Sequence, residues 1–265
     1  MEDETHSIPC RLRYTAESVT SRVIVVLPAY NEEANIGSLL RTILHRLTEA
    51  QPDFSVIVVD DGSSDGTARI LDDLRAQMPL TVERHARNQG LGATIRDGLK
   101  LASDSAGARD IIVTMDADES HDPGLMLRMV QMIHQGYDVV IASRYQPGSQ
   151  VLGLSTTRVV VSWLASRFMR VLFPIPGVTD YTCGYRAYAA ASLKQAYQRY
   201  GEEFVNQPGF QCMVDLLLKL RRMPLRFGEV PMVLRYDLKR GSSKMRIFRT
   251  AANTLRLLLI RKLEK

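Results

Sequence analysis

Four short, unbroken runs rich in Val and Ile recur through the first half of the chain: Arg22–Leu27, Ser55–Val59, Asp110–Met115 and Tyr137–Ala142. A strand with one wet face alternates apolar and polar residues. A strand with no alternation must be covered on both faces, which is the habit of a parallel sheet between helices. Helical patterns fill the gaps at Glu33–Arg46, Gly66–Gln77, Leu91–Ala102 and Pro123–His134, and a weaker strand, Leu80–His85, lies between the second and third runs. Strand and helix in alternation predict right-handed crossovers and an α/β fold, a mostly parallel sheet flanked by helices. With 265 residues the chain can bury a full core with a small appendage.

The second half changes character. Arg158–Phe173 reads as an amphipathic helix whose polar residues, Arg158, Ser162, Ser166 and Arg170, recur every fourth position. An irregular stretch, Pro174–Tyr188, precedes helical patterns near Ser192–Tyr200 and Phe210–Arg221. Pro224–Leu234 reads as a broken or edge strand, because Pro231 lies inside it. Arg246–Lys262 is a cationic amphipathic helix. The expected division is a loose N-terminal arm (1–20), a catalytic domain (21–245) and the C-terminal helix (246–265).

The net charge of +5 is unevenly placed. From Arg235 to Lys265 ten Lys or Arg stand against Asp237 and Glu264, so the rest of the chain is slightly acidic. A basic end calls for an anionic partner, or is simply a solvated tail. Nucleic acid is disfavoured as that partner, because the tail has no interleaved aromatics for stacking. Cys10, Cys183 and Cys212 form neither a disulfide framework nor zinc spacing. Together with an N-terminus lacking an apolar leader, this predicts a cytoplasmic protein. Every long apolar stretch is interrupted by Arg well short of the roughly 20 residues a spanning helix needs.

In open α/β sheets ligands gather at the carboxyl ends of the strands. Here those ends read Pro28-Ala29-Tyr30-Asn31-Glu32, Asp60-Asp61-Gly62-Ser63-Ser64-Asp65 and Asp116-Ala117-Asp118. Clustered carboxylates repel unless a cation compensates. An Asp-x-Asp pair offers hard oxygen ligands to Mg²⁺ or Mn²⁺, which bridges a diphosphate and stabilises its departure. Asp60, directly at a strand end, is placed to accept from a base or ribose. Asp65 reads as a cap for the following helix. Gly90-Leu91-Gly92 lacks the third glycine of a dinucleotide loop and reads as a turn into a helix.

The motifs Leu27-Pro28-Ala29-Tyr30-Asn31-Glu32, Val58-Val59-Asp60-Asp61-Gly62-Ser63, Asn88-Gln89-Gly90-Leu91-Gly92 and Met115-Asp116-Ala117-Asp118 follow one another in order. After them come Ser120-His121, Ala142-Ser143-Arg144-Tyr145, Cys183-Gly184-Tyr185-Arg186, Gly228-Glu229-Val230-Pro231 and Gly241-Ser242-Ser243-Lys244. This series, from about Val23 to Lys244, resembles the family-2 inverting glycosyltransferases with the GT-A (Rossmann-like) fold. Within them it is most similar to the dolichyl- or polyprenyl-phosphate mannose synthases.

The resemblance implies that Pro28, Ala29, Tyr30, Glu32, Val58 and Asp60 hold the nucleoside. It implies that Asp116, Ala117 and Asp118 meet ribose, diphosphate and metal, with Ser120 near the metal. Arg144 falls at a phosphate or sugar contact, and Arg158 and Ser162 match an Arg-x-x-x-Ser element at the acceptor phosphate. Arg235 and Lys244 belong to the C-terminal phosphate-binding stretch. There Leu238 stands where the family has Arg, so Arg235, Lys239 or Arg240 is left to substitute. Glu119 and Cys183 also replace an apolar residue and a Ser.

The implied reaction moves a sugar, mannose from GDP-mannose, onto a polyprenyl or dolichyl phosphate with inversion. The alternatives are a family-2 transferase using a hydroxyl acceptor with UDP-glucose or another donor, and a nucleotide-sugar sensor. A hydroxyl acceptor needs a general base, for which Asp215 is the candidate, with a core-facing role as the other reading. A phosphate acceptor is already anionic and needs cationic positioning instead. The Arg246–Lys262 helix pairs an Arg-bearing face with Ile247, Phe248, Ala251, Leu255, Leu258 and Leu259. That pattern fits either peripheral contact with the cytoplasmic membrane face or packing on the domain.

Overall fold

A computed structural model of the chain describes residues 21–50, 53–238 and 247–263. The alternation is present as β1 (Val23–Ala29), α1 (Ile36–Ala50), β2 (Phe54–Asp60), α2 (Thr67–Leu74), β3 (Leu80–Arg84), α3 (Leu91–Ser105), β4 (Ile111–Thr114), α4 (Leu125–His134) and β5 (Val139–Ser143). The second half contributes β6 (Gln150–Leu152), α5 (Thr156–Leu172), β7 (Arg186–Ala189), α6 (Ala190–Tyr200), a 3₁₀ turn (Gly201–Val205), α7 (Cys212–Leu220), β8 (Phe227–Pro231), β9 (Val233–Arg235) and α8 (Ile247–Leu263).

Seven strands form the main sheet in the order β3-β2-β1-β4-β7-β5-β8. All pairs are parallel except those of β7, which runs against both β4 and β5. Chain order reverses at β1, with β2 on one side and β4 on the other, so the crevice beyond β1 is where such sheets bind ligands. The unbroken apolar runs are wholly covered: Val23–Leu27, Ile111–Val113 and Val139–Ala142 have no exposed surface. On α1 the buried residues Ile36, Leu39, Leu40, Ile43 and Leu47 follow the helical period. On α3, a Cβ at Gly98 would come within 2.6 Å of Val26 Cγ1, so the glycine lets this helix sit close against the sheet. The edge strand β3 carries exposed Glu83 and Arg84, which discourage pairing with another chain.

Two features depart from expectation. The stretch read as irregular runs into β7, whose first residue, Arg186, is fully buried and donates to the carbonyls of Cys183, Met213 and Tyr181. A four-residue strand opening on Arg carries no apolar signature. The broken strand at 224–234 divides at Met232: β8 closes the main sheet and ends on Pro231, while β9 pairs with β6 in a small second sheet.

Helix α5 is inside-out. Ser166 is buried and donates to the Thr179 carbonyl, and Met169 is buried beside it, whereas Val160, Val161, Trp163, Leu164, Phe168 and Val171 are 46–78% exposed. Helix α8 is similar in part. Leu257 and Leu258 are buried, but Leu255, Leu259, Ile260 and Leu263 face outward. Among the described residues no helix is long and apolar enough to cross a membrane. The arm 1–20 and the Gly241–Lys244 motif, with Lys239 and Arg240, lie outside the described residues.

Candidate active site

The ends of β1 and β2 are stitched together. Ala29 pairs with Asp60, and the Asp61 amide donates to the Ala29 carbonyl. Asn31, at φ 52°, donates its amide to Ser63 Oγ, and the Glu32 amide donates to Thr67 Oγ1. Asp60 is buried and accepts from the Ser63 amide, which fixes its carboxylate at the rim. Pro28, Tyr30 and Glu32 are half-buried along the same crevice. Val58 lies in the middle of β2 between Leu27 and Val82 and has no exposed surface. The N-cap of α2 is Gly66 rather than Asp65, which lies just before the helix and whose carboxylate accepts from the Thr67 amide and hydroxyl. Burial opposes ionisation of Asp65, but the bonds from Thr67 and Glu33 outweigh it and hold the carboxyl below its ordinary value.

Behind this rim lies a network not anticipated from sequence. Asp61 accepts from the Gln89 and Gly90 amides and lies 2.7 Å from His85 Nδ1, while His85 Nε2 lies 3.0 Å from Asp97. The Asn88–Gly92 turn is therefore pinned by a buried carboxylate. Gly90, at φ 90°, makes the turn into α3 possible.

Asp116-Ala117-Asp118 follows β4 directly. Asp116 is half-buried at the crevice, Ala117 is buried, and Asp118 is 7% exposed. The Ser120 hydroxyl and amide both donate to Asp118 Oδ1, at 2.5 and 3.1 Å, so Ser120 orients that carboxylate. Glu119 takes up φ 60°, a left-handed conformation that turns the loop between them. His121 stacks on Tyr185 with centroids 5.2 Å apart, and its Nδ1 is buried without a hydrogen-bond partner. Among the described residues no three His, Cys, Asp or Glu converge as a metal cage. Two carboxylates plus an orphaned polar atom in the same loop fit a hard cation that takes its remaining ligands from a diphosphate and water.

On the far side of β4, Gly184 lies against Asp116, a Cβ there falling 3.6 Å from Oδ1. The loop carrying Gly184 is held by Asp180, which is fully buried and accepts from the Arg144 side chain through both oxygens at 2.7 Å. Arg144 also donates to Thr182. Burial works against the Arg144 charge, but Asp180 outweighs it and raises the guanidinium above its ordinary value. Burial likewise works against the Asp180 carboxylate, and Arg144 outweighs it, holding the carboxyl below its ordinary value. Glu229 of β8 accepts from the Thr179 and Asp180 amides and so fixes the turn before this pair.

Tyr145 extends the rim to α5, its hydroxyl lying 2.8 Å from Ser162 Oγ. Arg158 lies one helical turn before Ser162 on α5. Arg235 adjoins the acidic loop through its amide, which donates to the Ser120 carbonyl, and its side chain is engaged by Asp237.

The sequence missed Asp61, Asp180 and Glu229 as organisers, because their partners are far away along the chain. Asp215 is a correction. It is 1% exposed and paired with both Lys219 and Arg261, so it anchors α8 to α7 and cannot serve as a base at the rim. Cys183 and Cys212 are free and buried, which pushes both thiols up to about 12 and leaves them inert.

A mostly parallel sheet reversing at β1, with paired carboxylates beyond β4, matches a GT-A fold. Residues 24–196 match the Glycosyl transferase family 2 model, and the chain belongs to that family: it is a glycosyltransferase. It is 34% identical over 225 residues to undecaprenyl-phosphate mannosyltransferase of Micrococcus luteus, covering 84% of this chain and 87% of that one. It is 33% identical over 231 residues to polyprenol monophosphomannose synthase of Mycolicibacterium smegmatis, covering 85% and 82%. Among solved structures, glucosyl-3-phosphoglycerate synthase of Mycobacterium tuberculosis, in complex with Mn²⁺, UDP and glucosyl-3-phosphoglycerate, aligns with a TM-score of 0.65 at 22% identity. That alignment covers 91% of this chain and 80% of the other.

Proposed function

We propose that this glycosyltransferase moves mannose from GDP-mannose onto a polyprenyl phosphate at a membrane surface. The observation that carries the acceptor is α5. Its inward stripe brings Ser162 to Tyr145 at the rim, while its outward face is apolar and exposed. A phosphate drawn from a bilayer toward Ser162 would keep its hydrocarbon tail on that outer face. The relatives named for transfer to undecaprenyl phosphate and polyprenol support the same reading.

In this reading the Pro28–Glu32 and Asp60 crevice holds the nucleoside, and Asp116 and Asp118 hold Mg²⁺ or Mn²⁺. The metal, when bound, offsets negative charge on the diphosphate. Arg158 and Ser162 position the acceptor phosphate, and Arg144, fixed by Asp180, lies between sugar and acceptor. An acceptor oxygen attacks the anomeric carbon as the bond to the diphosphate oxygen breaks, giving inverted mannosyl phosphate and GDP. No general base is required, because the nucleophile is an anion. Arg235 and Lys244 are the cationic candidates for the donor phosphates. The outward residues of α8 add peripheral contact with the membrane.

The test is transfer of labelled mannose from GDP-mannose to a short polyprenyl phosphate with Mg²⁺ or Mn²⁺. Product with inverted anomeric configuration is expected. Transfer only to free hydroxyl acceptors, or only from UDP-glucose, overturns the reading.

A further inference from the structure

A cleft of about 590 Å³ opens between the end of α5, the end of α7 and the last turns of α8, away from the acidic rim. Its walls carry Arg199, Lys219, Arg221, Arg222, Arg261 and Lys262. Asp215 beneath them satisfies Lys219 and Arg261 together, one carboxylate for two cations. Burial lowers the Lys219 pKa, and the Asp215 contact only partly offsets this. Arg221 is held in place by its bond to the Pro174 carbonyl and by the Phe173 ring 6.0 Å away, and Lys262 lies at the same distance over that ring. Arg199 is tethered to the Arg222 carbonyl. Fixed cations around an aromatic floor form a preorganised anion site rather than a solvated face.

What borders the cleft narrows the anion. Val171, 78% exposed, lines its mouth, and the exposed Phe168 precedes it by one turn on α5. Leu259 and Leu263 face outward on α8 beside Lys262. A soluble phosphate has no use for apolar walls, whereas a phospholipid presents a phosphate at one end and acyl chains at the other. We propose that this cleft binds the headgroup of an anionic phospholipid, a lipid site separate from the acceptor site. It would orient the α5 rim toward the bilayer. The inference rests on the membrane reading of the acceptor but is tested without the acceptor.

The experiment is co-sedimentation of the full chain with phosphatidylcholine vesicles, with and without phosphatidylglycerol, at low and high salt. Arg222→Gln with Lys262→Gln is compared with Arg75→Gln, just past the end of α2. Each basic residue near an anionic surface is worth roughly fivefold, so the double variant should lose about twenty-five-fold in partitioning to anionic vesicles at low salt. Arg75→Gln should lose nothing, and circular dichroism melts check that each variant is folded. Should the double variant unfold, adding Arg199→Gln alone to the folded chain gives the same reading with about a fivefold loss. Equal losses on phosphatidylcholine alone, or with Arg75→Gln, overturn the site. Isothermal titration with glycerol 3-phosphate forms the other arm. Tight, cleft-dependent binding there, with no vesicle preference, assigns a soluble phosphate and overturns the lipid. Sedimentation as a dimer whose α5 faces are mutually covered also overturns it. Transfer to a detergent-dispersed polyprenyl phosphate, measured separately, tells failure of this site from failure of the acceptor reading.

Discussion

Helices α1 and α5 have nearly the same length, 15 and 17 residues, and opposite relations to the protein. On α1 the apolar stripe is buried against the sheet and the charged residues face water. On α5 the serines face the protein, and Val160, Val161, Leu164 and Phe168 face out. Folding alone accounts for α1, since burying a Leu or Ile is worth about 1.5–3 kcal/mol. It does not account for α5, which leaves most of that gain uncollected. The first half of the molecule buries its apolar helix face, and the second half leaves one exposed.

The largest effect that can break this comparison is on the donor side. Asp118→Asn should abolish metal-dependent donor binding and slow transfer at least about 10³-fold, because a bound metal supplies several kcal/mol of charge stabilisation. Isothermal titration of the donor with Mn²⁺ and a thermal melt check that the loss is local. Unchanged affinity would remove Asp118 from the metal site.

Next comes the Arg144–Asp180 ion pair. Asp180→Asn leaves Arg144 buried without its carboxylate, a change worth about 3–5 kcal/mol. The Asp180 carboxyl is held below its ordinary value in the folded state. Its contribution is therefore fully present above the unfolded carboxylate range, about pH 4, and is lost as pH falls through the folded value. The gap in stability between wild type and Asp180→Asn should be widest near neutral pH and should close in acid. Urea melts across that range measure it, and a gap independent of pH would sink the assignment.

Smaller again is the acceptor contact. Arg158→Ala should lower kcat/KM for the polyprenyl phosphate by about ten- to a hundredfold, the value of a charge-assisted hydrogen bond of roughly 1.5–3 kcal/mol. Donor affinity should not change. Equal losses on donor and acceptor would take Arg158 away from the acceptor side.

The two halves were also unequally legible in the sequence. Strands buried on both faces announce themselves by composition, so β1, β2, β4 and β5 were placed to within a residue or two, and with them the acids at their ends. What was not legible depends on distant partners. Nothing in Thr179-Asp180 foretells Glu229, and nothing near Asp61 foretells His85. Strand β7 was hidden because its Arg186, buried through hydrogen bonds to three carbonyls, looks in sequence like a surface residue. On α5 the fourfold spacing of polar residues was readable, but which side faced the protein was not. A helix with serines on one side and apolar residues on the other is expected to turn the apolar side inward.

That orientation yields the smallest expected effect on stability and the sharpest test of the comparison. Leu40→Ala on α1 removes a fully buried side chain and should cost about 2–5 kcal/mol. Phe168→Ser on α5 removes a side chain that is 50% exposed. Its cost should stay near the ±0.5 kcal/mol of an ordinary surface change, and relief of exposed apolar area should leave the folded protein more soluble. Activity should separate where stability does not. With acceptor embedded in vesicles, Phe168→Ser together with Leu164→Ser should reduce transfer several-fold, since each loses apolar contact with the bilayer. With acceptor dispersed in detergent the same variant should match wild type. A double variant that melts several kcal/mol early would mean α5 is covered by protein, and the contrast with α1 would vanish. One that stays folded and loses transfer equally in detergent would place these side chains in the reaction itself rather than at the lipid surface.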